Sequence, residues 1–164
     1  MELMHSHRWD RPLPDWRAAI VSGFVAGAVV MVLELLWSTL VNDGNPWQTV
    51  HMVAAIVMGQ DVLQPLDFSL PVVVVALVTH YVLGIVFGLI LAGIVAPYHF
   101  DARMSTVLAT GAVFGVVLYL VNFYGMAHIF DWFVAMRGVE TCVAHVIFGM
   151  VAAAAYLKLE KLEH

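Results

Sequence analysis

The stretch that decides the fold is PVVVVALVTHYVLGIVFGLILAGIVA, which runs from Pro71 to Ala96 without a single Asp, Glu, Lys or Arg. A helix needs about 20 mostly apolar residues to cross the hydrocarbon core of a bilayer. This stretch meets that requirement, and Pro71 and Pro97 mark its two ends. We therefore predict that it spans a membrane.

Three further stretches have the same character, and the composition agrees with a membrane protein. We predict spans at about 18–41, 71–96, 104–124 and 139–157. The 164 residues are 62% hydrophobic and 12% charged, with a mean hydropathy of +0.90, whereas a soluble domain carries about 25% charged residues. The predicted fold is all-α, an integral membrane four-helix bundle formed by a single transmembrane domain, 1–164.

The composition also excludes several classes of protein. A single cysteine excludes a disulfide framework and a cysteine-rich metal module. The net charge of −5 and the absence of a Lys/Arg cluster argue against nucleic acid as a partner. The first apolar run is too long for a cleaved signal peptide. The last residues, 162–164, resemble the remnant of a purification tag, and we assign them no function.

The basic residues predict the orientation of the chain in the membrane. In this topology six of them face one side, and Arg137 alone faces the other. Because basic residues concentrate on the cytoplasmic side, both termini are expected in the cytoplasm of a bacterial cell, with the chain in the inner membrane. The six are Arg8, Arg11, Arg17, Arg103, Lys158 and Lys161.

The chain contains an internal repeat. GFVAG at 23–27 corresponds to GAVFG at 111–115, and HYVLG at 80–84 corresponds to HVIFG at 145–149. The bundle is therefore predicted to consist of two tandem helical hairpins related by a pseudo-twofold axis along the membrane normal, an arrangement in which shared sites form at the repeat interface.

In each hairpin the outer loop between the two spans contains an apolar segment that is too short to cross the membrane. The sequence predicts short interfacial or re-entrant helices at about 46–58 and 126–137. Asn45 and Pro46 provide a start for the first of these helices, and Gly59 provides its end.

Four polar residues are predicted to point into the bundle rather than towards lipid. Glu34 and Asn122 each follow a glycine of the repeat by seven residues, which is close to two helical turns. His80 and His145 each precede a glycine of the same helix face by four residues. All four would meet in the outer half of the bilayer, where ionisable residues by default indicate a functional site.

Two kinds of cofactor fit this set. A b-type haem would take His80 and His145 as axial ligands, with Gly84 and Gly149 leaving room for the macrocycle. A transition metal ion would use His80, His145 and Glu34, with His51, His128 and Asn122 as candidates for the outer shell. The predicted function is then electron transfer or metal handling at a periplasm-facing pocket.

Three alternatives remain open. Glu34 and the two histidines could form part of a pathway for protons or a small solute. The chain could be an accessory subunit of a larger membrane complex or a homo-oligomer, with lipid as its other partner. The histidines could also be structural, because polar contacts between membrane helices contribute only about 0.6 kcal/mol each. No residue is predicted to be catalytic, and enzymatic activity is left undecided.

The histidine–glycine pairs at 80–84 and 145–149, set in two glycine-rich hairpins, resemble the YagU-like and related four-helix inner-membrane proteins of bacteria. The likeness runs from about 18 to 157. It implies a location in the bacterial inner membrane and implies no activity. The segment 42–70 departs from the pattern expected of that group.

Overall fold

The protein is a bundle of apolar helices in a computed structural model that describes residues 13–40, 45–96 and 104–163. Four helices are long and apolar enough to cross a membrane, which identifies a multi-pass membrane protein and confirms the predicted all-α fold. The long helices are α1 (Trp16–Leu40), α3 (Leu70–Val95), α4 (Met104–Leu120) and α5 (Val139–Glu163), and the short α2 is Trp47–Met58.

The helix ends fall close to the predicted bounds, except that α5 continues six residues beyond position 157. Gly59 has a φ of 87° and donates its N–H to the carbonyl of Ala55, so it ends α2 as predicted. The boundary residue Pro97 and the basic residues Arg8, Arg11 and Arg103 lie outside the described residues.

The segment 126–137 differs from its prediction. It forms a 3₁₀ turn at Met126–His128 and a second one at Asp131–Met136. Between the two turns Phe130 adopts φ −115° and ψ 86°, which breaks the helix. This break allows Phe130, Trp132 and Phe133 to join one aromatic cluster, and this packing outweighs the local preference for a continuous helix.

Within each hairpin, glycines hold the two helices together. α1 packs on α3, and α4 packs on α5. A Cβ on Gly149 would overlap the carbonyl oxygen of Gly111, and a Cβ on Gly88 would lie 2.7 Å from the carbonyl oxygen of Ala19. Only glycine permits helices to approach this closely, and such contacts drive helix association in lipid.

The two hairpins do not form a symmetric square. α1 packs along α5, but the symmetry-related pair, α3 and α4, is not in extensive contact. Beside α3 lies α2, whose Ala54 is fully buried against Val72 and Ala76. We call the end of the bundle that carries α2 and the two 3₁₀ turns the capped end, and the other the terminal end.

The terminal end has its own fixed contact between α1 and α5. The backbone N–H of Asp15 donates to the hydroxyl oxygen of Tyr156 at 3.1 Å, and Tyr156 is only 2% exposed. Asp15 also caps α1, because its carboxylate accepts the N–H groups of Arg17 and Ala18.

Replacement of a glycine at the hairpin contact is expected to destabilise the protein. Because a methyl group at Gly149 meets the backbone of α4, Gly149→Ala should lower the free energy of unfolding by about 1–3 kcal/mol. The matched control is Gly93→Ala, where nothing lies within 4 Å of the added Cβ. Denaturation midpoints in mixed micelles measure both variants, and equal midpoints would contradict the close contact.

Candidate functional site

A cavity of about 440 Å³ lies between the helices at the capped end. All four long helices contribute to its wall, together with one face of α2 (Thr49, Val53 and Ile56) and the 3₁₀ turns. Its volume lies within the range of about 300–1,000 Å³ that small-molecule sites occupy. Most of the wall is apolar, formed by Val30, Val53, Ile56, Leu83, Phe87, Leu118, Val121, Phe123, Met126, Phe130, Phe133, Met136 and Phe148.

The predicted polar residues meet at this cavity. Glu34, His80, Asn122 and His145 all line it, each from a different element. The two glycines predicted to leave room for a haem lie in different places. Gly84 lines the cavity, whereas Gly149 is buried against the backbone of α4. The convergence of the four side chains follows from the glycine spacing that the two hairpins share.

His145 is held in one orientation by its own helix. Its Nδ1–H donates to the carbonyl oxygen of Thr141 at 2.9 Å, and Asn122 Nδ2 lies 3.4 Å from Nε2. These partners assign the proton to Nδ1 and leave a lone pair on Nε2. The rings of Tyr119 and Phe123 meet the imidazole edge to face. His145 therefore presents a fixed acceptor towards Asn122.

His80 has the opposite arrangement. Its Nε2–H donates to the carbonyl oxygen of Gly27 at 2.9 Å, across the contact between α3 and α1. This bond leaves the lone pair on Nδ1. The histidines at equivalent positions of the repeat thus have different partners, one in a neighbouring helix and one in its own.

Glu34 faces the cavity without a partner among residues 13–40, 45–96 and 104–163. It is half-buried, and none of the described residues makes a hydrogen bond or ion pair with its carboxylate. A carboxylate in an apolar environment is costly unless it is paired. Glu34 is therefore the polar group of the cavity that either carries a proton or binds a partner.

A π-helical turn directs Asn122 to the cavity. After Leu120 the regular α4 widens into Val121–Gly125, a turn that holds Asn122 and Phe123. Such widened turns occur within helices and are frequent at functional sites. The sequence pattern predicts a span to position 124 but carries no signal for the widening.

The other two candidate histidines lie away from the cavity. His51 is 4% exposed, and its two ring nitrogens face the carbonyl oxygens of Val62 and Asp67. His128 is exposed in the first 3₁₀ turn. Neither residue lines the cavity. Within ranges 13–40, 45–96 and 104–163, no three His, Cys, Asp or Glu side chains form a group that could hold a metal ion.

At the capped end, hydrogen bonds join α2 and the residues that follow it to the second 3₁₀ turn, Asp131–Met136. Gln60 Nε2 donates to Asp131 Oδ1 at 2.9 Å, and Trp132 Nε1 donates to the carbonyl oxygen of Met52 at 3.1 Å. At the side of the cavity, Val121 is 52% exposed. Val121 therefore belongs both to the wall of the cavity and to an exposed helix face within a candidate span.

The floor of the cavity is apolar. Phe87 of α3 meets Phe148 of α5 edge to face, with ring centroids 6.3 Å apart. Below them a cluster that includes Leu91, Val95 and Val107 continues towards the terminal end. Phe87, Phe148 and this cluster form an apolar layer between the polar residues of the cavity and the terminal end.

Comparisons with protein-family models, with curated proteins and with solved structures each found no match. The resemblance to YagU-like proteins stays a prediction from the sequence.

Loss of the hydrogen bond from the Trp132 indole to the carbonyl of Met52 is expected to increase local opening of α2. Because a hydrogen bond contributes about 0.5–1.5 kcal/mol net, Trp132→Phe should speed amide exchange in α2 between about twofold and tenfold. The control is Trp37→Phe, since Trp37 is 46% exposed on α1. Hydrogen exchange read by mass spectrometry makes the comparison, and unchanged exchange in α2 would refute the contact.

Proposed function

We propose that the protein binds a small amphipathic molecule in the cavity at its capped end. The observation that carries this proposal is the cavity itself, a largely apolar space of about 440 Å³ with five polar side chains on its wall: Glu34, Thr49, His80, Asn122 and His145. Ligand sites in proteins combine an apolar wall with a few convergent polar groups in this way.

Three features favour binding over passage through the membrane. The floor of the cavity is apolar at Phe87 and Phe148, so the polar groups do not continue to the terminal end. The capped end is fastened by Trp132 and Asp131. The exposed rim at Val121 offers access from the bilayer, which suits a ligand that dissolves in lipid.

In our proposal the protein lies in the inner membrane of a bacterial cell, and the capped end faces the periplasm. The distribution of six basic residues against Arg137 supports this orientation. The ligand would then be bound in the outer half of the bilayer.

A bulky side chain at the rim should block the site. In phosphatidylcholine nanodiscs, 4-phenylbutan-1-ol serves as a neutral probe, and calorimetry subtracts its partition into empty discs. Val121→Trp is expected to weaken saturable binding about tenfold or more, which is about 1.4 kcal/mol. The matched control is Val117→Trp, one turn earlier, 51% exposed and not part of the wall.

Saturable binding to the wild type at one site per chain, retained in Val117→Trp, would support the proposal. The proposal fails if the wild type shows only partition, or if both tryptophan variants bind equally well.

A second candidate is a haem or a metal ion held through His145. The observation that favours it is the bond from Nδ1–H to the carbonyl of Thr141, because histidine ligands commonly donate their other ring N–H to a carbonyl and bind through the free nitrogen. His80 fits this role less well, since its Nε2 is engaged with Gly27.

An absorption spectrum and elemental analysis of the purified protein test this candidate. A stoichiometric Soret band or metal is expected in the wild type and in His128→Ala, and its loss is expected in His145→Ala. The exposed His128 is the control because it does not line the cavity. A colourless sample without metal would eliminate the candidate.

A further inference from the structure

The polar atoms of the cavity accept hydrogen bonds far more than they donate them. Neutral His80 and His145 each use their one N–H on a backbone carbonyl, so each keeps a lone pair. Glu34 has only acceptors when it is ionised, and one O–H donor when it is protonated. The donors on the wall are the amide of Asn122, one N–H of which is directed at His145, and the hydroxyl of Thr49.

No basic side chain balances this set. The cavity wall includes no Lys or Arg. Arg137, near the capped end, is already engaged: its Nε donates to the carbonyl of Phe123 at 2.7 Å, and its guanidinium lies 4.2 Å from the centroid of the Tyr124 ring. The cavity thus combines an unpaired carboxylate with two imidazole acceptors and no cation.

The apolar part of the wall is rich in phenylalanine rings. Aromatic faces attract cations, and the attraction grows when the site excludes water. Five phenylalanines line the cavity, on α3, α5, the π turn and the second 3₁₀ turn and its approach: Phe87, Phe123, Phe130, Phe133 and Phe148.

From the acceptor set, the absent cation and the phenylalanine wall together, we infer that the occupant is an amphipathic organic cation, a protonated amine carried on an apolar body. This rests on the proposed function and adds the class of ligand. An ammonium group has three N–H donors, and the carboxylate of Glu34 and the free Nδ1 lone pair of His80 can accept them. The apolar body would lie against the phenylalanine rings.

The spread of the acceptors favours an organic cation over a bare metal ion. Metal ligands must approach to about 2.0–2.2 Å, and no three such side chains in the described ranges are gathered to that degree. In a hydrogen bond from an ammonium group, the nitrogen lies about 2.9 Å from the acceptor atom. The apolar part of an organic cation also fills space that a bare metal ion would leave empty. An anion would meet the Glu34 carboxylate and two lone pairs, so phosphate or carboxylate groups are disfavoured.

Three probes of nearly equal shape separate charge from hydrophobicity: 4-phenylbutylammonium, 4-phenylbutan-1-ol and 4-phenylbutanoate. Each is titrated at neutral pH by calorimetry into the full chain in phosphatidylcholine nanodiscs, with empty discs as blank. We expect the ammonium to bind about tenfold or more tightly than the alcohol. The carboxylate is expected to show partition only.

Glu34→Gln removes the charge and keeps the shape, so it should abolish the advantage of the ammonium while binding of the alcohol stays near its original affinity. Retained binding of the alcohol shows that the variant is folded. The matched control is Glu140→Gln, an exposed carboxylate in the first turn of α5 that does not line the cavity. This control should keep the full preference for the ammonium.

The outcomes separate this inference from the proposed function. If all three probes bind alike, the cavity binds ligands but the ligand class is wrong. If the preference for the ammonium survives in Glu34→Gln, the recognition of the cation by Glu34 is wrong. If none of the probes shows saturable binding, the inference and the proposed function both fall.

Discussion

The rest of the structure depends on the direct contact between helix backbones at the glycines. Lipid tails are as apolar as leucine, so membrane helices associate through close packing and not through exclusion of water. Gly23 meets the backbone of Gly84, and Gly111 meets that of Gly149. Each hairpin is fastened at these points, while α3 and α4 make no comparable contact. The space left between the hairpins is the cavity.

The same contacts explain why the two repeats differ in chemistry. A Cβ on Gly115 would overlap the backbone of His145, so this helix pair is too close for the imidazole to reach across. At Gly27 the corresponding Cβ would lie 3.6 Å from the imidazole of His80, which leaves room for its bond to the glycine carbonyl. A difference in helix separation thus decides which ring nitrogen carries the proton in each repeat.

Much of this arrangement could be predicted from the sequence, because apolar length and glycine spacing are local signals. They predict the spans, the helix end at Gly59 and the meeting of Glu34, His80, Asn122 and His145. The partners of each polar group were not predictable. The bonds of His51 to Val62 and Asp67 and the π turn at Asn122 depend on tertiary packing, for which the repeat pattern carries no signal.

In the proposed function, Glu34 connects the stability of the fold to the binding of a ligand. At the equivalent position of the second repeat stands Asn122, an uncharged group with a partner in His145, so the hairpin itself does not need a carboxylate there. An unpaired carboxylate in an apolar space opposes folding, and a bound cation removes that penalty in the folded state alone. A ligand that binds only the folded state stabilises it in proportion to RT ln(1 + [L]/Kd). If the proposed cation binds, the occupied protein is the more stable form, and Glu34 is the residue that accounts for the difference.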